Sequence, residues 1–295
     1  IDLKELFSVL WNKRLIIIAL SAFFSVSSIF YSLSLSDYYN SESILMARDS
    51  QDAGPLSQFS EVSSLAGINF SSGTGSSVFK VLEIIKSRVF VKHLLTFDDN
   101  ILPSILAPKG FNFSTGEIVF DPEIYDVDSK KWVREVEGTK SVIPTYLEAH
   151  RAYLEMLSVS RNDETGFIFI SMEHLSPVFA KEFLILILNE VNKVNKDQDI
   201  ESSRKAIEYL KSELTQTSQV EIKKSINKLI EAQLEMKMTA SIYDDYSLIT
   251  IEPPFVPEKK SKPSRALIVI FTSLIGGILT LIGVLLHHYF IAKEE

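Results

Sequence analysis

The 295-residue sequence contains no cysteine, which excludes disulfide bonds, thiolate zinc sites, iron–sulfur clusters and cysteine nucleophiles. Its 11 glycines and 10 prolines are too few for a fibrous or low-complexity chain. Basic residues are in the minority, since 30 Lys and Arg stand against 38 Asp and Glu, for a formal net charge of −8. This balance argues against a nucleic-acid partner.

Apolar residues are abundant, and they are concentrated near the two ends of the chain. Residues 15–35 and 266–291 contain no Asp, Glu, Lys or Arg, and each reaches the ~20 residues that cross a bilayer core. We predict transmembrane helix 1 over 15–35 and transmembrane helix 2 over 266–291. The first segment has an alternative as a signal peptide, but no clear small-x-small cleavage site follows it.

Two spans place both termini on the same side of the membrane. Lys13 and Arg14 before the first span favour a cytoplasmic N-terminus, although four basic residues also precede the second span. Because the first helix usually determines orientation, we predict that 1–14 and the 292–295 tail are cytoplasmic. The large segment 36–265 is then external.

Both predicted spans carry small residues along one helix face, three or four positions apart. Small residues let helix backbones approach closely in lipid, so we predict that these stripes pack the spans together, within or between subunits. The alternative is that such residues are merely tolerated in a membrane helix. The stripes are Ser21, Ser25, Ser28 and Ser32 in the first span, and Ser273, Gly276, Gly277, Thr280 and Gly283 in the second.

The external segment mixes strand and helix patterns, which predicts an α+β domain. Residues 158–172 read as a β-hairpin, because two alternating runs flank Asn162-Asp163-Glu164-Thr165 with Gly166 closing the turn. The other predicted elements are strands over 38–46 and 246–251, helices over 78–97 and 145–157, a Ser/Gly-rich loop over 51–77, and short strand-like runs within 112–132.

The most informative segment follows Ser176-Pro177, an N-cap with proline at the first helical position. No further Pro or Gly occurs before Tyr243. We predict a long helical arm over about 176–243, with a break near 215–218, protruding from an α/β base. A stripe with four-three-four-three spacing, in which Gln233 is the one polar member, is predicted to form contacts between arms through Ile222, Ile226, Leu229 and Met236. An ordinary helical hairpin within one subunit is the alternative.

A proline-rich, basic run over 253–263 leads into the second span. Proline fixes φ and removes a backbone donor, so the run is predicted to be a stiff, extended spacer. Its Lys259, Lys260 and Lys262, with Arg265, are expected at the headgroup level of the membrane lipids.

No set of residues predicts catalysis. Asp126-Val127-Asp128 has the form of a nucleotide-sugar metal motif, but the pattern is short and no nucleotide-binding fold surrounds it. The histidines show no metal-ligand spacing, and no nucleophile, base and orienting group are assembled. We therefore expect no enzymatic activity, no cofactor and no metal.

Four stretches carry a resemblance to a known family: residues 1–14, 170–182, 209–240 and 244–263. In this order and spacing they resemble the Wzz-type chain-length determinants of bacterial lipopolysaccharide O-antigen, the polysaccharide co-polymerases. The branch without a fused tyrosine kinase is expected, because few residues follow the second span. The family's juxtamembrane motif is matched by Pro254, Pro257, Lys259, Ser261, Lys262 and Pro263. Its glycine-bearing second span is matched by Gly276 and Gly283.

The resemblance implies a two-pass inner-membrane protein with a periplasmic domain, assembled as a homo-oligomeric ring, by resemblance an octamer. Its implied partners are the O-antigen polymerase, the lipid-linked polysaccharide and the membrane lipids. It would set the modal length of the glycan built on an undecaprenyl-linked carrier without being a glycosyltransferase. The alternative is an adaptor or structural component of a capsule or exopolysaccharide export system.

Overall fold

A computed structural model describes residues 10–11, 13–48, 74–136, 138 and 141–291. Most of the predicted loop over 51–77 and the 292–295 tail lie outside the described residues. The chain divides into two compact units, one formed by residues 1–39 with 259–295 and the other by 40–258.

In chain order, the elements are α1 (Arg14–Ser34), β1 (Tyr39–Ala47), α2 (Thr74–Lys86), α3 (Arg88–Leu94), α4 (Ile101–Leu106), β2 (Pro108–Asn112), β3 (Glu117–Phe120), β4 (Tyr125–Asp126), β5 (Lys131–Trp132), α5 (Tyr146–Met156), β6 (Leu157–Arg161), β7 (Phe167–His174), α6 (Pro177–Gln216), α7 (Val220–Ile242), β8 (Leu248–Glu252) and α8 (Arg265–Ile291). This mixture of strands, long helices and two terminal apolar helices confirms the predicted α+β class.

The first unit contains the two long apolar helices, α1 and α8, which pack against each other. The stretches 14–34 and 265–287 are long and apolar enough to cross a membrane. Most of their residues are exposed in the single chain, unlike the core helices of a water-soluble fold. The helices coincide closely with the two predicted spans.

The second unit is built on a four-stranded sheet with the order β6-β7-β1-β8. Strands β6 and β7 pair antiparallel, as do β1 and β8. Along β7 the side chains alternate, with Ile168, Ile170 and Met172 fully buried. Helices α2, α3, α5 and α6 cover this buried face, where the core includes Ile85, Val91, Leu94, Tyr153, Leu184 and Ile187.

Two hairpins close with the same local device. In the predicted β6–β7 hairpin, Asn162 accepts hydrogen bonds from the amides of Glu164 and Thr165, and Gly166 has φ +75°. Asn112 and Gly116 play the same roles between β2 and β3. An Asn side chain that caps the turn and a Gly that takes positive φ explain both connections.

The prediction of one continuous helix over 78–97 is wrong, because the structure has two helices in this segment. It is divided at Ser87, whose extended backbone interrupts the helix and whose hydroxyl accepts a hydrogen bond from the Phe90 amide to start α3. Residues 74–77, predicted as loop, begin α2 instead. Serine is a strong N-cap, so this boundary is set by local capping within a continuous apolar pattern.

The long helical segment is a hairpin. Ser176 caps α6 as predicted by accepting from the Phe179 amide, with Pro177 at the first helical position. The predicted break occurs at residues 217–219, and α7 returns along α6. The last α6 residue packed on the core is Val194, so residues 195–216 extend about 33 Å beyond it at ~1.5 Å per residue.

A charge-assisted cap fixes the start of α5. Thr145 and Glu148 form a reciprocal capping box. Arg134 donates to both Glu148 carboxylate oxygens, at 2.5 and 3.2 Å, and also to the carbonyls of Ser141 and Val142. The Arg134 hydrogen bond, opposed by partial burial, lowers the pKa of Glu148 to about 2.

The Arg134–Glu148 pair predicts an acid-dependent contribution to stability. Because the folded-state pKa lies below the ordinary 4.5, this contribution is present above pH 4.5 and is lost as pH falls through about 2. We expect Arg134→Gln to lower the free energy of unfolding by about 1–2 kcal/mol at pH 7, a modest value because Glu148 is partly exposed.

Urea unfolding of the full chain in detergent, followed by circular dichroism from pH 7 to 2, measures this difference. The difference in the free energy of unfolding between wild type and Arg134→Gln should become smaller toward pH 2. Arg151→Gln, at an exposed position on α5, is the matched control and should show no such gap. An Arg134→Gln gap of the same size at both pH values would contradict the prediction.

Candidate functional site: the apolar helix pair, its junction and the helical hairpin

Hydroxyl groups connect the two apolar helices, α1 and α8, near the middle of their contact. The Ser25 Oγ lies 2.8 Å from the Ser273 Oγ and also donates to the Ser21 carbonyl at 2.9 Å. With its only proton used in this way, Ser25 accepts from Ser273. Hydrogen bonds of this kind, between helices that otherwise meet through apolar contacts, specify which faces meet in lipid.

Most of the predicted small-residue stripe lies at this helix contact. Ser28, Ser32 and Thr280 are buried, and Gly277 approaches the Ser21 hydroxyl. A Cβ built on Gly276 would lie only 2.7 Å from the Cβ and Cγ of Phe24, so α1 and α8 can meet here only because residue 276 has no side chain. The structure does not bring Gly283 into the contact, since a Cβ there would meet nothing within 4 Å.

An ionic junction joins the end of α1 to the start of α8. The Asp37 carboxylate accepts from Lys260 at 3.0 Å and from Arg265 at 2.8 Å. Beside it, Tyr38 and Lys262 form an antiparallel bridge, and the Ser261 amide and hydroxyl both donate to the Tyr38 carbonyl. The residues of the predicted juxtamembrane motif nearest the span are therefore held against the exit of α1.

Upstream, the proline-rich run is anchored to β1. Pro254 and Pro257 are buried. Because Pro254 has no amide proton, a regular strand ladder cannot continue there. The fully buried Ser41 donates to the Phe255 carbonyl at 2.7 Å instead, and Ser43 donates to the Glu252 carbonyl at 2.6 Å. Lys259 stays exposed.

One buried amide fixes the root of the helical hairpin. The Asn192 side chain on α6 is 4% exposed, accepts from the Ser247 and Leu248 amides, and donates to the Leu248 carbonyl. Asn195 donates to the Ser247 hydroxyl, and Lys196 donates to the Tyr243 carbonyl. These bonds hold the end of the hairpin against the start of β8.

The structure divides the predicted arm stripe into two parts. Ile226 is 8% exposed and Leu229 is half-buried, both within the hairpin of one chain. Ile222 and Met236 are 43% and 37% exposed, on one flank of α7. In a single chain, Ile226 therefore packs inward, while Ile222 and Met236 remain available to a neighbour.

Two polar groups that the sequence analysis considered, Asp126 and His174, have structural partners. Asp126 of the D-x-D pattern accepts from the Asp128 amide and the Ser129 hydroxyl, which closes the β4–β5 turn. His174 is buried between the Ser104 carbonyl and the Ser176 amide, and burial lowers its pKa to about 4. Among the described residues, no three or more His, Asp or Glu side chains are placed to hold a metal.

Several of these structural residues were missed in the sequence. Asp37, Ser41, Ser43 and Asn192 act through partners more than 50 positions away, and no local pattern marks them. The only signal present was their polarity inside otherwise apolar or strand-forming segments.

The fold and these contacts define a class of protein: two apolar helices, near the ends of the chain, frame an α+β domain with a long helical hairpin. Residues 1–96 match the Wzz family, described as chain length determinant protein. This match confirms the predicted resemblance to Wzz-type proteins over the first third of the chain. No curated protein matches the sequence.

Two solved structures are similar at low identity. A full-length bacterial polysaccharide co-polymerase is 12% identical, with a TM-score of 0.40, 99% of this chain covered and 100% of that one. A fragment of WzzB, a polysaccharide co-polymerase from Salmonella Typhimurium, is 12% identical, with a TM-score of 0.29 and coverage of 77% and 100%. Both scores lie below 0.5, and the likeness to the Wzz family therefore rests on residues 1–96.

The Gly276 contact predicts a position-specific requirement for glycine. In a Ser25→Cys, Ser273→Cys chain, which has no other thiol, we expect oxidation in membranes to form an intrachain disulfide. Adding Gly276→Leu should slow this reaction several-fold, because the new side chain overlaps Phe24. Non-reducing gel electrophoresis follows the reaction.

The matched control is Gly283→Leu, at a glycine with open space around it. It should leave the rate of disulfide formation unchanged. Equal effects of the two leucines, or a product with the mass of a covalent dimer only, would overturn the proposed packing within one chain.

The Asn192 amide predicts a large local contribution to stability. Asn192→Leu keeps the branched shape and the number of side-chain heavy atoms but leaves two amides and one carbonyl without their partner. We expect it to lower the free energy of unfolding by about 2–4 kcal/mol in urea titrations of the full chain. The neighbouring exposed Lys193→Leu is the control, and a loss below about 0.5 kcal/mol for Asn192→Leu would contradict this assignment.

Proposed function

We propose that this chain is a non-catalytic regulator of polysaccharide chain length in the bacterial inner membrane. The observation that carries this proposal is the match of residues 1–96 to a family of chain length determinants. The matched segment includes α1, β1 and the first helices of the core. The apolar helices α1 and α8 are compatible with a two-pass protein.

We further propose the topology and the glycan. Residues 1–14 and 292–295 are cytoplasmic, spans occupy 15–35 and 266–291, and 36–265 is periplasmic. The regulated product is lipopolysaccharide O-antigen, made by its polymerase on an undecaprenyl-linked carrier. Supporting this proposal is the Wzz-like juxtamembrane run, whose Ser261 and Lys262 are held at the exit of α1.

The proposed working form is a homo-oligomeric ring, an octamer by family resemblance. Ile222, Met236 and the outer edge of Leu229 are the proposed contacts between hairpins, while Ile226 supports them from inside one hairpin. The exposed Lys259 and Lys262 and the lipid-facing side of α8 are the proposed contacts with the polymerase or the lipid carrier, since Pro254 and Pro257 are buried.

The first test is the lipopolysaccharide ladder of a strain that lacks this gene, with and without the chain supplied back. We expect an unregulated ladder in the deletion strain and one modal cluster on complementation. An unchanged ladder with loss of capsule or exopolysaccharide would overturn the proposal in favour of the export alternative.

The same strain tests the exposed stripe through Met236→Glu. Burying a new carboxylate between hairpins is unfavourable, so this variant should loosen the oligomer in cross-linking and broaden the length distribution. Asn227→Glu is the matched control, because residue 227 is exposed and lies two and a half turns, or about 180°, around α7 from Met236. Equal behaviour of both variants would count against the stripe.

A further inference from the structure

The four-stranded sheet of the second unit has a second, more open face. Helices α2, α3, α5 and α6 cover the face that carries Leu45 and Ile170, and alternate side chains of β1 and β7 point the other way. On that side Met46 and Phe169 are each 41% exposed. We call this surface the sheet face, and its apolar members are Ile44, Met46, Phe167, Phe169 and Ile249.

The strands supply this sheet face with carboxylates and no cation. Strands β1, β7 and β8 contain no Lys or Arg. Arg161 of β6 pairs with the buried Ile168 and therefore lies on the helix-covered side. Glu42 is exposed on β1, and Glu252 is exposed at the end of β8. Arg48, just beyond β1, donates to a backbone carbonyl.

A second apolar surface lies on the far side of the helix layer, away from the sheet. On α5, Ala149 and Tyr153 point into the core. Leu147, Arg151 and Leu154 lie within an arc of about 60° on the opposite side of that helix, at about 100° per residue. The two leucines are 45% and 41% exposed.

Helix α3 continues this surface and makes it basic. Val89 is 79% exposed, with the exposed Arg88 and Lys92 beside it. The Lys92 Nζ lies 5.5 Å from the centroid of the Tyr146 ring, which places α3 next to the start of α5. We call this surface the helix face, and its members are Arg88, Val89, Lys92, Leu147, Arg151 and Leu154.

The carboxylates of α5 do not neutralise the helix face. Glu148 is paired with Arg134. Glu155 lies one turn from Arg151, on the side of α5 that points away from α3, because it is about 180° around the helix from Tyr146. Even with Glu155 included, three cations stand against one carboxylate. The helix face is therefore positive where the sheet face is negative.

Two unlike surfaces on opposite sides of one unit favour a head-to-tail contact. A contact between two different patches generates a closed ring when the rotation between copies closes. Copies that are anchored by the same two spans share one direction across the membrane, so the axis of such a ring is the membrane normal.

We propose that the sheet face of one chain packs against the helix face of a second copy of this chain. Met46 and Phe169 pack against Leu147 and Leu154 of the neighbour, and the carboxylates of one face meet the cations of the other. This inference rests on the proposed function, whose ring it provides with a contact separate from the hairpin stripe.

The test uses single engineered thiols, because the chain has no cysteine of its own. Two differently tagged full-length forms, Phe169→Cys and Leu147→Cys, are expressed together in membranes and treated with a short bis-maleimide. We expect about tenfold more covalent dimer from the mixture than from either form alone, because unlike faces are held together in the oligomer. Met46→Cys with Leu154→Cys is a second pair.

Ser114→Cys, exposed in the β2–β3 turn, is the matched control and should give only background dimer with Phe169→Cys. As much dimer from Phe169→Cys alone as from the mixture would indicate a symmetric contact and overturn the proposal. Absence of dimer from both mixed pairs, with circular dichroism showing folded chains, would also overturn it.

Charge reversal tests the electrostatic part. Glu42→Lys should lower the yield of the mixed cross-link several-fold, and the loss should shrink at high salt. Glu117→Lys, exposed on β3, is the control and should leave the yield unchanged. Equal effects of the two lysines would show that charge does not select this partner, which would overturn the proposal.

Cross-linking is measured without polymerase or glycan. Its failure would therefore remove the contact between the sheet face and the helix face and leave the proposed function standing. Failure of the lipopolysaccharide-ladder test would instead remove the proposed function.

Discussion

The Asn192 side-chain amide is the interaction on which the α+β unit of residues 40–258 most depends. Helix α6 starts in the core and continues about 33 Å beyond it, and α7 follows. The chain after α7 must therefore be fixed close to the core before it can pair in the sheet. Asn192 does this by meeting both amides and the carbonyl at residues 247–248. Pairing of β8 with β1 begins there, with Leu248 opposite Ala47. A buried amide with three backbone partners specifies register, because a one-residue slip would leave all three unpaired.

At the end of β8 and beyond it, the chain is held by hydroxyls in place of a regular strand ladder. Proline cannot donate, so Ser41 and Ser43 of β1 bind the carbonyls of Phe255 and Glu252 directly. The covalent path from the hairpin root to α8 is thus anchored first by an amide and then by two buried serines. Within the other unit, Asp37 and the Tyr38–Lys262 bridge hold the start of the second apolar helix.

Local signals predicted much of this fold, and distant partnerships account for what they missed. The two apolar helices, the Ser176-Pro177 start and the Asn162–Gly166 turn follow from composition, capping and turn chemistry close in sequence. The Asn112–Gly116 turn carries the same signal as the second hairpin and was predictable in principle. Asn192, Asp37 and Ser41 were not, because their roles depend on residues brought near only by folding. Periodicity alone also could not divide the α7 stripe, because a heptad-like row serves a partner in the same chain or in another equally well.

That division has a consequence for assembly. Ile226 is used within the hairpin, so of the predicted stripe mainly Ile222 and Met236 are left for a neighbour, and Val220, Leu234, Met238 and Ile242 are exposed elsewhere on α7. In the proposed ring, contacts between long hairpins that are individually weak would add up, because they are repeated around a closed assembly. Such an assembly can be cooperative while each hairpin remains folded by its own root, because the Asn192 bonds stabilise the hairpin before any neighbour arrives. On this reasoning, loss of the exposed stripe alters assembly with the fold intact, whereas loss of the root removes the surface on which assembly depends.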